Sequence, residues 1–166
     1  MLSAIISDTL LFKSPTCTAE DKNAGEELAK IAGIDAEEYG LEMLKAGTDI
    51  SDFSIEEILT MDAKKTTIKE YSAIINQVNT ACIEDVMKLK EELEKGMQSS
   101  IAENNLDLFM LLITDIINSN SQVIALGNAA DLVEKSYGVK LENNTALLKG
   151  IVSRKKQVIP VLTENA

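Results

Sequence analysis

The sequence predicts an α/β protein: a mixed β-sheet domain packed with helices and preceded by a helical segment. Strand-like and helix-like stretches alternate from about residue 54 onward, which favours a sheet covered by helices. Hydrophobic residues make up 45% and charged residues 26% of the 166 residues, as is typical of a soluble chain that buries a core. Two Ser/Thr-x-x-Asp/Glu spacings mark helix starts.

The N-terminal region is predicted to be helical. Thr18 and Asp21 have the spacing of a capping box at a helix start, and Gly33 suits the end of that helix. Its expected core face consists of Leu28, Ile31 and Ala32. A second helix is expected to follow Asp35 and to run to Gly47.

The polar stretch "GTDISDF" is the best linker candidate, because it is short and carries acids and turn formers. The expected organisation is therefore a first region over residues 1–47, a linker over 48–53 and a domain over 54–166. Ser54 and Glu57 form a second predicted capping box, which opens a short helix.

The predicted domain contains several strands. The stretch "TIKEYSAIINQVNT" is typical of a hairpin or two strands, and "LDLFMLLIT" of a strand buried on both faces. Between them, an apolar stripe predicts one long helix from Ala81 to about Asn105. Further along, "SQVIALG" reads as a strand, a helix ends at Gly138, and "VKLENNTALLKGIV" holds at least one more strand.

Composition excludes several classes of function. The chain has no His, which excludes Ser-His-Asp and Cys-His catalysis and any His-ligated metal site made by this chain alone. A net charge of -11 argues against general nucleic-acid binding. The longest apolar run, "LFMLLI", is too short to span a membrane. With no signal peptide expected and Cys17 and Cys82 interpreted as reduced thiols, we expect a cytoplasmic protein.

The basic run Arg154, Lys155 and Lys156 is the first candidate site. It lies between two apolar pairs and follows a Gly and a Ser, whose backbone N–H groups can approach an anion. Arginine offers a bidentate fork to phosphate oxygens, and lysine a compact charge beside it. The alternative is a solvated turn, or the positively charged last turn of a helix.

Two further candidates are less specific. Lys64 and Lys65 lie after a short predicted helix and are either part of a polyanion site or favourable charges at the helix C-terminus. Asp8 follows an apolar run, the position at which metal and ligand sites occur in open α/β sheets. An Asp there is also commonly a cap or turn residue, and one carboxylate makes no metal site.

Taken together, the motifs resemble the C-terminal part of a manganese-dependent inorganic pyrophosphatase, a two-domain enzyme of the DHH phosphoesterase superfamily. The resemblance rests on "SDTLLFKSPTCT", "AEEYGLEMLKAG", "NLDLFMLLITDI" and "ENNTALLKGIVSRKKQVIPVLT", and it covers the chain from Leu2 to Thr163. It implies that residues 1–47 are the end of the DHH catalytic domain and that residues 54–166 are the substrate-binding domain.

The same resemblance implies roles for individual residues. Arg154 and Lys155 of "SRKKQ" match the pair that holds pyrophosphate, and Lys64 matches a lysine that reaches into the cleft. All three would stabilise the charge of the substrate during hydrolysis by metal-activated water. Asp8 matches a metal-ligand Asp for Mn²⁺ or Mg²⁺. Lys156 lies in the motif without an assigned role.

The DHH motif and the other metal ligands are absent from the chain, so the resemblance implies few or no metals here and little activity without an N-terminal DHH domain. A homodimer is expected only of the full-length enzyme. Two other functions stay open: a non-catalytic anion-binding or interaction module, and a DHH phosphohydrolase of the exopolyphosphatase type.

Overall fold

The structure, a computed structural model, describes all residues from Met1 to Ala166 and divides into two compact units. They are Met1–Asp49 and Ile50–Ala166, so the division falls within the stretch 48–53 that the sequence favours as a linker. The first unit is helical and the second contains a five-stranded mixed sheet with helices, which confirms the predicted fold class. No helix is long and apolar enough to cross a membrane.

The first unit consists of α1 (Leu2–Thr9), α2 (Ala19–Ala32) and α3 (Ala36–Gly47). The predicted capping box at the start of α2 is confirmed: the Asp21 N–H donates to Thr18 Oγ1 at 3.2 Å, and the Thr18 N–H donates to the Asp21 carboxylate at 2.9 Å. Hydrogen bonds from Thr18, through its side chain and then its backbone, hold the pKa of Asp21 below its ordinary value.

The predicted core face of α2 is wrong. Gly25 and Ala29 are the buried residues of this helix, whereas Ile31 is 82% exposed. The reason is close packing: a Cβ on Gly25 would lie 2.6 Å from the ring of Phe12. The helix therefore packs through its small residues, which a hydrophobicity pattern does not single out.

The second unit is built on a sheet whose strands lie in chain order. Only the β2–β3 pair is parallel; the other three neighbouring pairs are antiparallel. The predicted hairpin is confirmed as the β1–β2 pair. The strands are β1 (Ala63–Ile68), β2 (Tyr71–Thr80), β3 (Leu108–Asp115), β4 (Asn120–Leu126) and β5 (Thr145–Lys149).

Helices cover both faces of this sheet and give three layers. Strand β3 is buried throughout its apolar length, and its residues alternate between two core clusters, with Met110 and Leu112 in one and Phe109 and Leu111 in the other. The first face carries α7 (Asp131–Tyr137) and α8 (Ile159–Asn165), and the second carries α4 (Ile55–Thr60), α5 (Ile83–Met87) and α6 (Lys90–Asn104).

The single long helix predicted over residues 81–105 is wrong, because the chain forms α5 and α6 with a break between them. At the break, the Leu89 N–H bonds to the carbonyl of Val86, three residues back, and this tighter turn ends α5. The two helices together provide the crossover that joins the parallel strands β2 and β3.

Gly127, after β4, supplies a test of this packing. Its φ is +113°, and a Cβ there would lie 2.3 Å from the backbone oxygen of Asp107. Because both strain and overlap follow, we expect Gly127→Ala to lower the free energy of unfolding of the second unit by about 3 kcal/mol or more. Hydrogen exchange of the most protected β3 amides measures this quantity.

Gly138 is the matched control. Its φ is +62°, but nothing lies within 4 Å of a Cβ at this position. Gly138→Ala should therefore lower the free energy of unfolding by only about 1 kcal/mol, the cost of a left-handed backbone conformation at alanine. Equal effects of the two substitutions would contradict the close approach at Gly127.

Candidate anion-binding site

On the face that carries α7 and α8, the core ends in a layer of polar side chains at the carboxyl ends of β2 and β3. Gln77, Thr114 and Ser121, one from each of three neighbouring strands, form this polar layer. The Gln77 side-chain amide donates to Thr114 Oγ1 at 3.0 Å, and the hydroxyls of Thr114 and Ser121 lie 2.9 Å apart. Thr114 and Ser121 are fully buried.

The polar layer binds the backbone of the loop 150–153, which follows β5. Ser121 Oγ donates to the carbonyl of Ile151 at 2.7 Å, and Gln77 Nε2 donates to the carbonyl of Val152 at 2.9 Å. Because the single hydroxyl hydrogen of Ser121 is used in this way, Thr114 must donate to Ser121. The loop is therefore fixed to the sheet by a directed chain of hydrogen bonds.

Gln157 holds the same loop from its other side. Its Oε1 accepts the N–H groups of Val152 at 3.0 Å and Ser153 at 3.1 Å, and its Nε2 donates to the carbonyl of Gly150 at 2.8 Å. Tyr137 donates its hydroxyl to the backbone carbonyl of Gln157 at 2.9 Å. Burial raises the pKa of Tyr137 far above its ordinary value, so its hydroxyl remains a donor even at a pH where an exposed tyrosine ionises.

The cationic run lies on a π-helical turn, Arg154–Val158, that leads directly into α8. The Ile159 N–H bonds to the carbonyl of Arg154, five residues back, and Ser153 Oγ accepts the Lys156 N–H at the start of the turn. Such turns are rare and frequently occur at functional sites. Lys155 and Lys156 are exposed on this turn, whereas Val158 is buried beneath it.

Arg154 is held at its backbone and at its guanidinium group. Its backbone N–H donates to Gln77 Oε1 at 3.2 Å. In the side chain, Nη2 donates to Asp62 Oδ1 at 2.8 Å, and Nη1 donates to the carbonyls of Asp62 and Ile75. The side chain is 16% exposed. Arg154 thus joins the π-helical turn to the β1–β2 hairpin.

The two hairpin lysines point to opposite faces of the sheet. Lys64 pairs with Ile75, which belongs to the core on the α7 and α8 side, and whose carbonyl accepts from Arg154. Lys65 pairs with Ile74, which packs against the other core. The alternative that both lysines end a helix is wrong, because both lie within β1.

Arg154 and Lys64 therefore lie on one face and at one end of the sheet, and Lys155 follows Arg154 on the exposed π-helical turn. Neither Lys64 nor Lys155 belongs to the ion pairs Lys88–Asp85, Lys90–Glu94, Lys135–Asp131 and Arg154–Asp62. Exposed ammonium groups near a largely buried guanidinium form a local positive site on a chain of net charge -11. Such an arrangement can bind a small polyanion.

Asp8 lies in the other compact unit. It is an exposed residue of the helix α1, so it does not lie at the end of a strand of an open sheet. No group of three or more Cys, Asp or Glu side chains is placed to hold a metal ion. The residues present do not by themselves form a site for Mn²⁺.

Sequence reasoning missed the residues that hold the cations in place, namely Gln77, Thr114, Ser121, Gln157 and Asp62. A usable signal was present in three of them. Gln77, Thr114 and Ser121 are polar residues on the strand face that is otherwise lined by apolar residues such as Ile75, Leu112 and Val123, and a polar residue there requires hydrogen-bonding partners. The partners themselves, backbone groups of a distant loop, could not be read from the pattern.

The fold and the contacts of Arg154 define a mixed-sheet module with a candidate cationic site. Comparison with known families places it further: the DHHA2 domain matches residues 41–165, so the chain belongs to the DHHA2 domain family. The match begins within α3, ahead of the division between the two compact units.

Similar proteins confirm the resemblance to manganese-dependent inorganic pyrophosphatases. The Bacillus subtilis protein named manganese-dependent inorganic pyrophosphatase is 61% identical over 99% of this chain, which covers 53% of its length. A crystal structure of a Methanococcus jannaschii protein assigned to the family II inorganic pyrophosphatases superposes with a TM-score of 0.87 at 42% identity, covering 99% of this chain and 53% of the other. The chain spans about half the length of these relatives and matches their C-terminal half.

Gln157→Ala tests the fixation of the loop. The substitution leaves the buried N–H groups of Val152 and Ser153 without their acceptor. We expect the hydrogen exchange of these two amides to accelerate about tenfold or more, because a lost acceptor costs about 1–3 kcal/mol. Lys155→Ala, which removes an exposed neighbour, should leave both amides unchanged. Unaltered exchange in Gln157→Ala would show that other contacts hold the loop.

Proposed function

We propose that this chain is the substrate-binding part of a manganese-dependent inorganic pyrophosphatase that hydrolyses pyrophosphate to two phosphates, with Arg154, Lys155 and Lys64 as its cationic clamp. The observation that carries the proposal is the fixed guanidinium of Arg154 beside exposed lysines at one end of the sheet. The names of the relatives supply the substrate and the reaction.

The guanidinium of Arg154 has donors to spare for an anion. It carries five N–H donors, and its bonds to Asp62 and Ile75 use three of them. The two that remain are Nε–H and one hydrogen of Nη2, which lie along one edge of the planar group. A phosphate group can accept both in a bidentate contact.

Lys155 and Lys64 add charge without fixing direction. Each ammonium is a compact, mobile point charge that can follow phosphate oxygens as negative charge moves from the bridging bond to the leaving phosphate. Their role in hydrolysis is therefore electrostatic: they neutralise the bound pyrophosphate and stabilise the phosphate that departs. Arg154, fixed by its partners, orients the substrate.

The remaining parts of the proposal concern the longer protein. Asp8 would be one metal ligand of a Mn²⁺ or Mg²⁺ site whose other ligands come from an N-terminal DHH domain, and the helical unit would be the end of that domain. The full-length enzyme would be a cytoplasmic homodimer that binds neither nucleic acid nor membranes. This chain alone would be inactive or nearly so.

A chimera tests the proposed roles. The chain would replace the matching segment of the Bacillus subtilis relative, and pyrophosphate hydrolysis would be measured with Mn²⁺. We expect an active enzyme in which Arg154→Ala lowers kcat/KM about 100-fold or more, as expected for a lost charge-assisted bidentate contact in the transition state. Arg154→Lys should recover little, because lysine keeps the charge without the fork.

Lys140→Ala is the matched control, since Lys140 is an exposed lysine outside the clamp, and its kcat/KM should equal that of the unsubstituted chimera. A folded chimera without activity, or one in which Arg154→Ala is as active as the control, would overturn the proposal.

The chain by itself supplies a further test. Because its carboxylates and thiols form no cluster of three or more metal-ligating groups, we expect no pyrophosphatase turnover by the purified chain with Mn²⁺. Robust hydrolysis of pyrophosphate by this chain alone would contradict the assignment of the metal site to a separate domain.

A further inference from the structure

We propose that Asp62 is a positioning residue, which aligns the guanidinium of Arg154 for the anion without contacting the anion itself. The inference deepens the proposed function and rests on it for its kinetic consequence. Its structural part, the alignment of Arg154, stands on the contacts of this chain alone.

Asp62 is part of the β1–β2 pairing through its backbone, independently of its contact with Arg154. The Gln77 N–H donates to the carbonyl of Asp62 at 3.3 Å, which extends the β1–β2 pairing to this residue. The same carbonyl and the Asp62 carboxylate then accept from Nη1 and Nη2 of Arg154. One residue therefore offers two acceptors of fixed separation, which match the two terminal nitrogens of a guanidinium group.

This contact decides which edge of the guanidinium is presented. With both terminal nitrogens directed at Asp62, the free edge is the one that carries Nε–H. The anion and Asp62 can then occupy different edges at the same time. Asp62 does not have to leave when the anion binds, which distinguishes positioning from a carboxylate that blocks the site.

Asp62 also ties Arg154 to Lys64. The two residues lie in one segment of the hairpin, with Ala63 between them, so a cation on the π-helical turn and a cation on β1 are connected through Asp62. An arginine side chain has many rotamers in solution, and fixing it beforehand lowers the entropy cost of binding.

The pair contributes little to stability. The Asp62 side chain is 57% exposed, and exposed ion pairs add little to the free energy of unfolding. Removing Asp62 should therefore change the alignment of Arg154 more than it changes the free energy of unfolding.

Arginine side-chain NMR measures that alignment directly, because Arg154 is the only arginine of the chain and gives one Nε–H signal. In the 166-residue chain we expect slow rotation of the guanidinium and a well-ordered Nε–H. Asp62→Ala removes the acceptor of Nη2 and leaves the two backbone acceptors of Nη1, so it should speed the rotation and lower the order of the Nε–H without abolishing the contact. Asp62→Asn should retain most of the order through its side-chain carbonyl. Asp52→Ala, which removes an exposed aspartate elsewhere in the second unit, should change neither. The thermal midpoint should stay the same in all three variants.

Kinetics of the chimera test the consequence. We expect Asp62→Ala to raise KM for pyrophosphate about tenfold with kcat changed less, since the loss lies in ordering before binding. Asp62→Asn should restore most of the affinity. In an Arg154→Ala background, Asp62→Ala should add nothing, because its effect acts through Arg154.

The outcomes separate the two proposals. An Arg154 signal that is as ordered in Asp62→Ala as in the unsubstituted chain overturns the positioning role, whatever the chimera does. If the Nε–H signal of Arg154 is less ordered in Asp62→Ala but KM is unchanged, the expected kinetic effect of Asp62 is overturned. The proposed function then still stands, provided that Arg154→Ala lowers activity. If Arg154→Ala itself has no effect, the proposed function fails. A lower KM in Asp62→Ala would identify Asp62 as a blocking carboxylate and overturn the inference.

Discussion

The site depends on one chain of hydrogen bonds, which runs from Gln77 through Thr114 and Ser121 to the backbone of the loop 150–153. Thr114 and Ser121 are fully buried, so their hydroxyls need partners within the protein, and a single arrangement satisfies both. Gln77 extends it to the backbone N–H of Arg154, and Gln157 closes it from the other side. The position of the cations is therefore set by polar contacts in the sheet and not by the cations themselves.

This arrangement reconciles a cationic site with an acidic protein. Neighbouring like charges repel, and a net charge of -11 would otherwise favour scattering the few cations as ion-pair partners. Here the polar layer fixes the backbone of Arg154 and Asp62 fixes its guanidinium, so the repulsion does not displace these two groups. A bound polyanion would relieve it. The unfavourable electrostatic free energy of placing these charges together is thus offset by folding, before any ligand binds.

The sequence predicted those features that depend on local chemistry. The caps at Thr18 and Ser54, the buried strand β3 and the apolar anchors of the basic run all follow from spacing or periodicity. It failed where tertiary packing decides: α2 buries Gly25 instead of Ile31, because the ring of Phe12 lies against the glycine. The partner of Arg154 was also out of reach, since Asp62 is 92 residues away and only the strand register brings it close.

The most direct measurement is a titration of the 166-residue chain with inorganic pyrophosphate, followed through the Nε–H signal of its single arginine. We predict a saturable shift of this signal, accompanied by shifts of the amides of Lys155 and Lys64, and no change at the exposed Lys140. The shifts should vanish in Arg154→Ala. An Arg154 signal that stays unchanged at saturating pyrophosphate, or shifts spread evenly over exposed lysines, would contradict a built anion site at this end of the sheet.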